Sequence, residues 1–101
     1  MTNHPNRNKQ KERAVVVTTQ HRGVFFGYAG DTGGAIIKLR AARNCISWTS
    51  DIRGFMGLAA TGPSKSCKIG PAADIELRDI TSVIACTDDA VKAWESAPWS
   101  R

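Results

Sequence analysis

The stretch Ala14-Val15-Val16-Val17-Thr18-Thr19, followed after four residues by Val24-Phe25-Phe26-Gly27-Tyr28-Ala29, decides the fold. β-Branched and aromatic side chains suit a pleated surface, and runs this short with turn residues on both sides read as strands. The apolar character of consecutive residues in the first run points to burial on both faces. Gln20-His21-Arg22-Gly23 reads as a turn, so the two runs are expected to pair antiparallel. Gly30-Asp31-Thr32-Gly33-Gly34 is a second turn, since glycine and aspartate accept positive φ. Ala35 to Leu39 then supplies a third strand and completes a meander.

Arg40-Ala41-Ala42-Arg43-Asn44 breaks the alternation and is expected to be a loop or one helical turn. Cys45-Ile46-Ser47-Trp48 alternates again, as a separate half-buried strand would. Ser50-Asp51 can cap a short helix over Ile52 to Ala60, although Gly54 and Gly57 each weaken it by about 1 kcal/mol. Gly62 to Ser66 is a turn, and Cys67-Lys68-Ile69 a short strand. Asp74 to Arg78 alternates with Ile75 and Leu77 inward, and Thr81 to Cys86 forms a further strand. Thr87 is a good N-cap, Asp88 and Asp89 suit a first helical turn, and Pro98 stops the helix after about Ser96, with Val91 and Trp94 buried. The chain is therefore expected to be mainly β with one C-terminal helix (α+β), a small curled antiparallel sheet or barrel.

A length of 101 residues suits one domain, expected over residues 13–101. Residues 1–12 form a polar, basic tail that cannot bury apolar surface and is expected to be disordered. So small a core favours oligomerisation, with Trp48, Trp94 and Trp99 available to anchor a core or an interface. No apolar run approaches the roughly 18 residues that span a bilayer, and the N-terminus has no apolar signal core. Cys45, Cys67 and Cys86, odd in number and widely spaced, fit a reduced compartment. A cytoplasmic protein without a membrane segment is expected. Without a CxxC pair or a fourth ligand, no metal is expected, and nothing calls for a cofactor.

The net charge is +5, unevenly spread. Residues 14–70 hold seven basic residues against two acidic ones, whereas residues 71–101 hold three against six. His21 is the single histidine of the expected domain, and no nucleophile elbow, P-loop or helix-opening GxGxxG is present. The chain is therefore expected not to be an enzyme. The middle segment interleaves Arg22, Lys38, Arg40, Arg43, Arg53, Lys65 and Lys68 with Phe25, Phe26, Tyr28, Trp48 and Phe55. Guanidinium groups match phosphate and aromatic faces stack on bases, so these are the parts of an anionic nucleotide site. The plainer reading of Phe25, Phe26 and Trp48 is core, and of each arginine a solvated surface group. Arg40 and Arg43 stand out beside Asn44 in an irregular segment, where a guanidinium and the amide could reach one ligand.

With these residues in view, the chain resembles the type-one Thoeris anti-defence proteins of phages. The likeness rests on Val15 to Gly27, on Ala42-Arg43-Asn44-Cys45-Ile46-Ser47-Trp48, on Gly57-Leu58-Ala59-Ala60-Thr61-Gly62-Pro63 and on Thr87 to Trp94. The resemblance implies a sponge in the cytoplasm of an infected bacterium, which binds cyclic ADP-ribose isomers made by TIR enzymes and holds them uncleaved. It also implies a homo-oligomer, from dimer to hexamer, and for some members a second site for cyclic oligonucleotides. The expected ligand contacts are Arg22, Phe25, Arg43, Asn44, Trp48, Arg53, Phe55, Gly57, Leu58 and Lys65. Two other classes fit the same sequence. One is a small β-barrel nucleic-acid module, which the acidic last third disfavours. The other is a protein–protein inhibitor or adaptor of phage origin.

Overall fold

The structure is a computed structural model that describes residues 12–20, 23–48 and 54–98. Most of the expected tail, together with His21, Arg22, the expected cap Ser50-Asp51, Arg53 and Trp99, lies outside the described residues. The strands are β1 (Arg13–Thr19), β2 (Val24–Ala29), β3 (Ile37–Ser47), β4 (Lys68–Ile69), β5 (Ala73–Leu77) and β6 (Ile80–Ala85). Among the described residues two helices accompany them, α1 (Gly54–Ala60) and α2 (Asp88–Ser96). No helix among the described residues is long and apolar enough to cross a membrane.

The six strands form one antiparallel sheet in the order β4-β3-β2-β1-β6, with β5 also paired to β3. The expected meander is there, with Val16 opposite Phe26 and Phe26 opposite Arg43. The sheet is open, and it curls. β5 and β6 lie on opposite edges, yet only Arg78 and Asp79 join them, so Leu77 and Ile80 are at most about 11 Å apart. The two edges therefore meet at that corner. Asp79 turns it in a left-handed conformation (φ 57°), and its carbonyl accepts the Gln20 N–H at 2.9 Å.

Arg40 to Asn44 is not a loop. It is the middle of the eleven-residue strand β3, which the sequence reading had divided in two. Ala41 bulges out at φ 52° and donates its N–H to Asp74 Oδ1 at 2.9 Å, while the pairing shifts register on both sides of β3. An inserted residue reverses the alternation. Ile37 and Leu39 pack on one face before the bulge, but Arg43 and Cys45 are buried on the other face beyond it.

The two faces carry two cores. Inside the curl, Val15, Val17, Ala29, Ile37, Leu39, Ala42 and Leu77 come from strands alone. On the outer face, Val16, Val24, Phe26, Cys45 and Ile69 pack against Leu58 and Ala59 of α1 and Ala90 and Trp94 of α2. Val15, Val16 and Val17 are all fully buried because β1 is covered on both sides, which is why its sequence does not alternate.

Thr87 caps α2 as expected, accepting the Ala90 N–H at 3.1 Å. Its hydroxyl also donates to the Ala60 carbonyl at 2.6 Å, tying the end of α1 to the start of α2. Trp94 is buried as expected, whereas Val91 is half-buried and Ala90 takes the core position. Between the helices, Gly62 holds φ +79°, and a Cβ there would lie 2.5 Å from Ala93 Cβ and 3.0 Å from the Ala90 carbonyl. Gly54 shares the positive φ (+75°) but has open space around it. Gly62→Ala is therefore expected to cost about 2–4 kcal/mol and Gly54→Ala about 1 kcal/mol, the difference being steric crowding against α2. Urea unfolding of both variants measures this, and equal losses would refute the crowding.

Candidate functional site

Three of the clefts formed by the described residues open on the surface of the sheet. The largest, about 1010 Å³, runs over Tyr28, Lys38 and Arg40 but is also lined by Glu12, Asp31, Asp74 and Glu76. Both bases are engaged. Arg40 Nε donates to Glu12 Oε1 at 2.9 Å and its guanidinium lies 4.8 Å from the Tyr28 ring centre, while Lys38 Nζ is 3.9 Å from Glu76. Four carboxylates around two neutralised cations make this an unfavourable place for an anion. The Tyr28 hydroxyl donates to the Glu95 carboxylate, and its pKa is pushed up to about 12, chiefly by burial and then by that hydrogen bond.

A second cleft of about 420 Å³ lies beside Arg43 and Pro98. Arg43 is only 8 % exposed. Its Nε donates to the Gly70 carbonyl at 2.9 Å, and its Nη1 to the carbonyls of Trp94 at 2.8 Å and Ala97 at 2.5 Å. Burial lowers the guanidinium pKa, and the charge rests on carbonyls at the C-terminal end of α2, where a cation is favoured. Arg43 is thus a clamp between β3, the segment before β5 and α2. Asn44, the next residue of the strand, is exposed on the opposite face, so the two do not converge on one ligand as the loop reading expected.

The third cleft, about 620 Å³, is lined by Thr18, Thr19, Gln20, Gly23, Val24, Trp48, Phe55, Thr81 and Ser82. It combines two aromatic side chains, a cluster of hydroxyls and an amide, with no ionisable group among its described lining. Trp48 packs its inner side against the outer core, and Phe55 is 38 % exposed. Of the expected contact residues, the structure brings Trp48 and Phe55 together here. Phe25 stands beside Gly23, where a Cβ would sit 2.7 Å from its ring, but packs against the inner core. Leu58 is fully buried and its carbonyl accepts the Trp94 indole N–H at 3.0 Å, so it belongs to the core. The Gly57 carbonyl accepts both the N–H and the hydroxyl of Thr61. Lys65 is exposed on the turn before β4. Arg22 and Arg53 lie outside the described residues; in sequence each immediately precedes a glycine, Gly23 of the cleft and Gly54 of α1.

Sequence reasoning missed the hydroxyls. Thr18 faces Ser82 across β1 and β6, but the next pair is Thr19 and Ile80, so Thr81 is the extra residue of a bulge. Thr18 Oγ1 therefore meets two hydroxyls, Thr81 Oγ1 at 2.6 Å and Ser82 Oγ. The only signal was the density of Ser and Thr at two chain-distant places, which nothing local joins.

Cys45 is buried, and burial pushes its thiol up to about 12; Cys86 is pushed up to about 11 by the same cause. Both are held as neutral thiols rather than nucleophiles.

Comparison with known families matches residues 12–94 to the profile described as Domain of unknown function (DUF6948). No curated protein and no solved structure matches the chain.

Proposed function

We propose a function for this chain, which belongs to the DUF6948 family: it captures a cyclic ADP-ribose-type nucleotide and holds it without cleavage, as a phage sponge against Thoeris immunity. The observation that supports this most is the third cleft, where Trp48 and Phe55 offer faces to a ring beside hydroxyls and an amide. Its volume of about 620 Å³ is in the range of small-molecule sites. The nature of the signal comes from the resemblance to the anti-defence proteins. A sponge must outcompete the effector that reads the signal, which asks for a nanomolar dissociation constant, about −12 kcal/mol. A pre-formed site on a packed sheet favours this by lowering the ordering cost of binding.

The same reading makes the protein a cytoplasmic homo-oligomer. Met56, Ile46 and Ile36, which are 60 %, 57 % and 46 % exposed, are large apolar side chains that a second copy would cover. Native mass spectrometry of the protein, expressed beside an activated TIR enzyme, tests the proposal. The expected result is an oligomer carrying the mass of a cyclic ADP-ribose isomer, released intact on heating. Recovery of a cleaved product would make the protein a hydrolase. A ligand-free protein holding a host polypeptide would favour the inhibitor reading.

A further inference from the structure

The bulge in β6 gathers hydroxyls with an unbalanced hydrogen-bonding capacity. Each hydroxyl has one hydrogen and two lone pairs. Thr18 Oγ1 bonds to both Thr81 Oγ1 and Ser82 Oγ, so two of the three hydrogens are used within the trio. One hydrogen remains, while most of the lone pairs stay open. Thr18 itself is only 7 % exposed, but Thr81 is exposed and Ser82 half-buried, so the open capacity faces the cleft that all three line. A surface of this kind is a net acceptor. It suits a ligand group that donates, such as an amine on a ring or a sugar hydroxyl. It is a poor partner for phosphate, which only accepts at this site.

We infer that Thr18, Thr81 and Ser82 form the specificity-determining end of the cleft and select a hydrogen-bond donor of a ligand whose ring stacks against Trp48 or Phe55. Phosphate is directed away from this end. The inference rests on the reading that this cleft holds the ligand, and it adds which part of the ligand lies where. The register makes the trio dependent on the bulge. Without the extra residue, Thr18 would face one hydroxyl and not two.

Titration calorimetry on the full chain tests this with five probes: adenosine, purine riboside (no ring amine), 2′,3′-dideoxyadenosine (no 2′- or 3′-hydroxyl), inorganic pyrophosphate, and a cyclic ADP-ribose isomer made by a TIR enzyme. Adenosine is expected to bind about tenfold more tightly than whichever analogue lacks the donor that the trio reads, and pyrophosphate to gain nothing from the trio. Thr18→Val and Ser82→Ala should each weaken adenosine by about tenfold. Thr18→Ser keeps the oxygen and should keep the affinity, which separates loss of the hydroxyl from loss of the fold. Equal affinity for adenosine and both analogues, or wild-type affinity in Thr18→Val and Ser82→Ala, overturns the inference. If the cyclic nucleotide binds wild type and variants alike, the inference fails and the proposed function stands. If adenosine binds through the trio but the cyclic nucleotide does not bind, the proposed function fails and the inference stands. Binding of neither overturns both.

Discussion

Replacing Trp94 with alanine is expected to lower stability by about 4–6 kcal/mol, enough to unfold a domain of this size under ordinary conditions. Trp94 is fully buried and stacks on Phe26, with ring centres 5.1 Å apart and planes 8° from parallel. Its indole N–H donates to the Leu58 carbonyl at 3.0 Å, so one side chain joins α2 to the sheet and to α1. Truncation to alanine removes the largest buried side chain, opens a cavity and leaves a buried carbonyl without its donor. Trp94→Phe keeps a ring against Phe26 and loses the donor, and should cost less than half as much. Circular dichroism and urea unfolding measure both. A well-folded Trp94→Ala protein that loses under 2 kcal/mol would show that the helices are not anchored through this residue.

Arg43→Met should cost about 3–5 kcal/mol. Methionine has a similar length and can fill the space, so packing is largely kept. What is lost is the clamp on three carbonyls, those of Gly70, Trp94 and Ala97. Those of Gly70 and Trp94 are left buried, at about 1–3 kcal/mol apiece when unmet, while that of Ala97 is part-buried and adds less. Arg43→Lys should recover little, because a single ammonium cannot stand at both the Nε and Nη1 positions. The prediction separates two roles. If Arg43 acts as a clamp, Arg43→Met lowers stability and any loss of ligand affinity follows the unfolded fraction. Weakened binding in a variant as stable as wild type would return Arg43 to the ligand site.

The part of the candidate site that could be read from the sequence was its aromatic half. Trp48 and Phe55 are named as expected contacts because large rings near glycines and basic residues are the ordinary materials of a nucleotide site, while the plainer reading of Trp48 is core; in the structure both line the cleft and Trp48 also packs against the outer core. Arg43 had the right chemistry for an anion and was drawn off by three carbonyls that lie far along the chain. Lys38 and Arg40 were likewise basic in the sequence and are neutralised by Glu76 and Glu12. Charge counted along the chain does not reveal such partners, since a salt bridge depends on distance and not on sequence separation.

By itself the sequence determined the elements whose signals are local. Valine-rich β1, aromatic β2 and the Thr87-capped α2 are stated by propensity, alternation and capping, which act over a few residues. The meander follows from turns of fixed length. Tertiary structure alone decided the rest. The bulge at Ala41 joined two expected strands into one, because Asp74 on β5 receives the N–H that the bulge frees from the ladder. The corner at Arg78 and Asp79 drew the sheet edges together, and the bulge opposite Thr18 assembled three hydroxyls from β1 and β6. The first strand pair was legible because its own residues specify it. The cleft was not, because its hydroxyls meet only through a change of register between strands some sixty residues apart in the chain (Thr18 and Thr81, 63 residues).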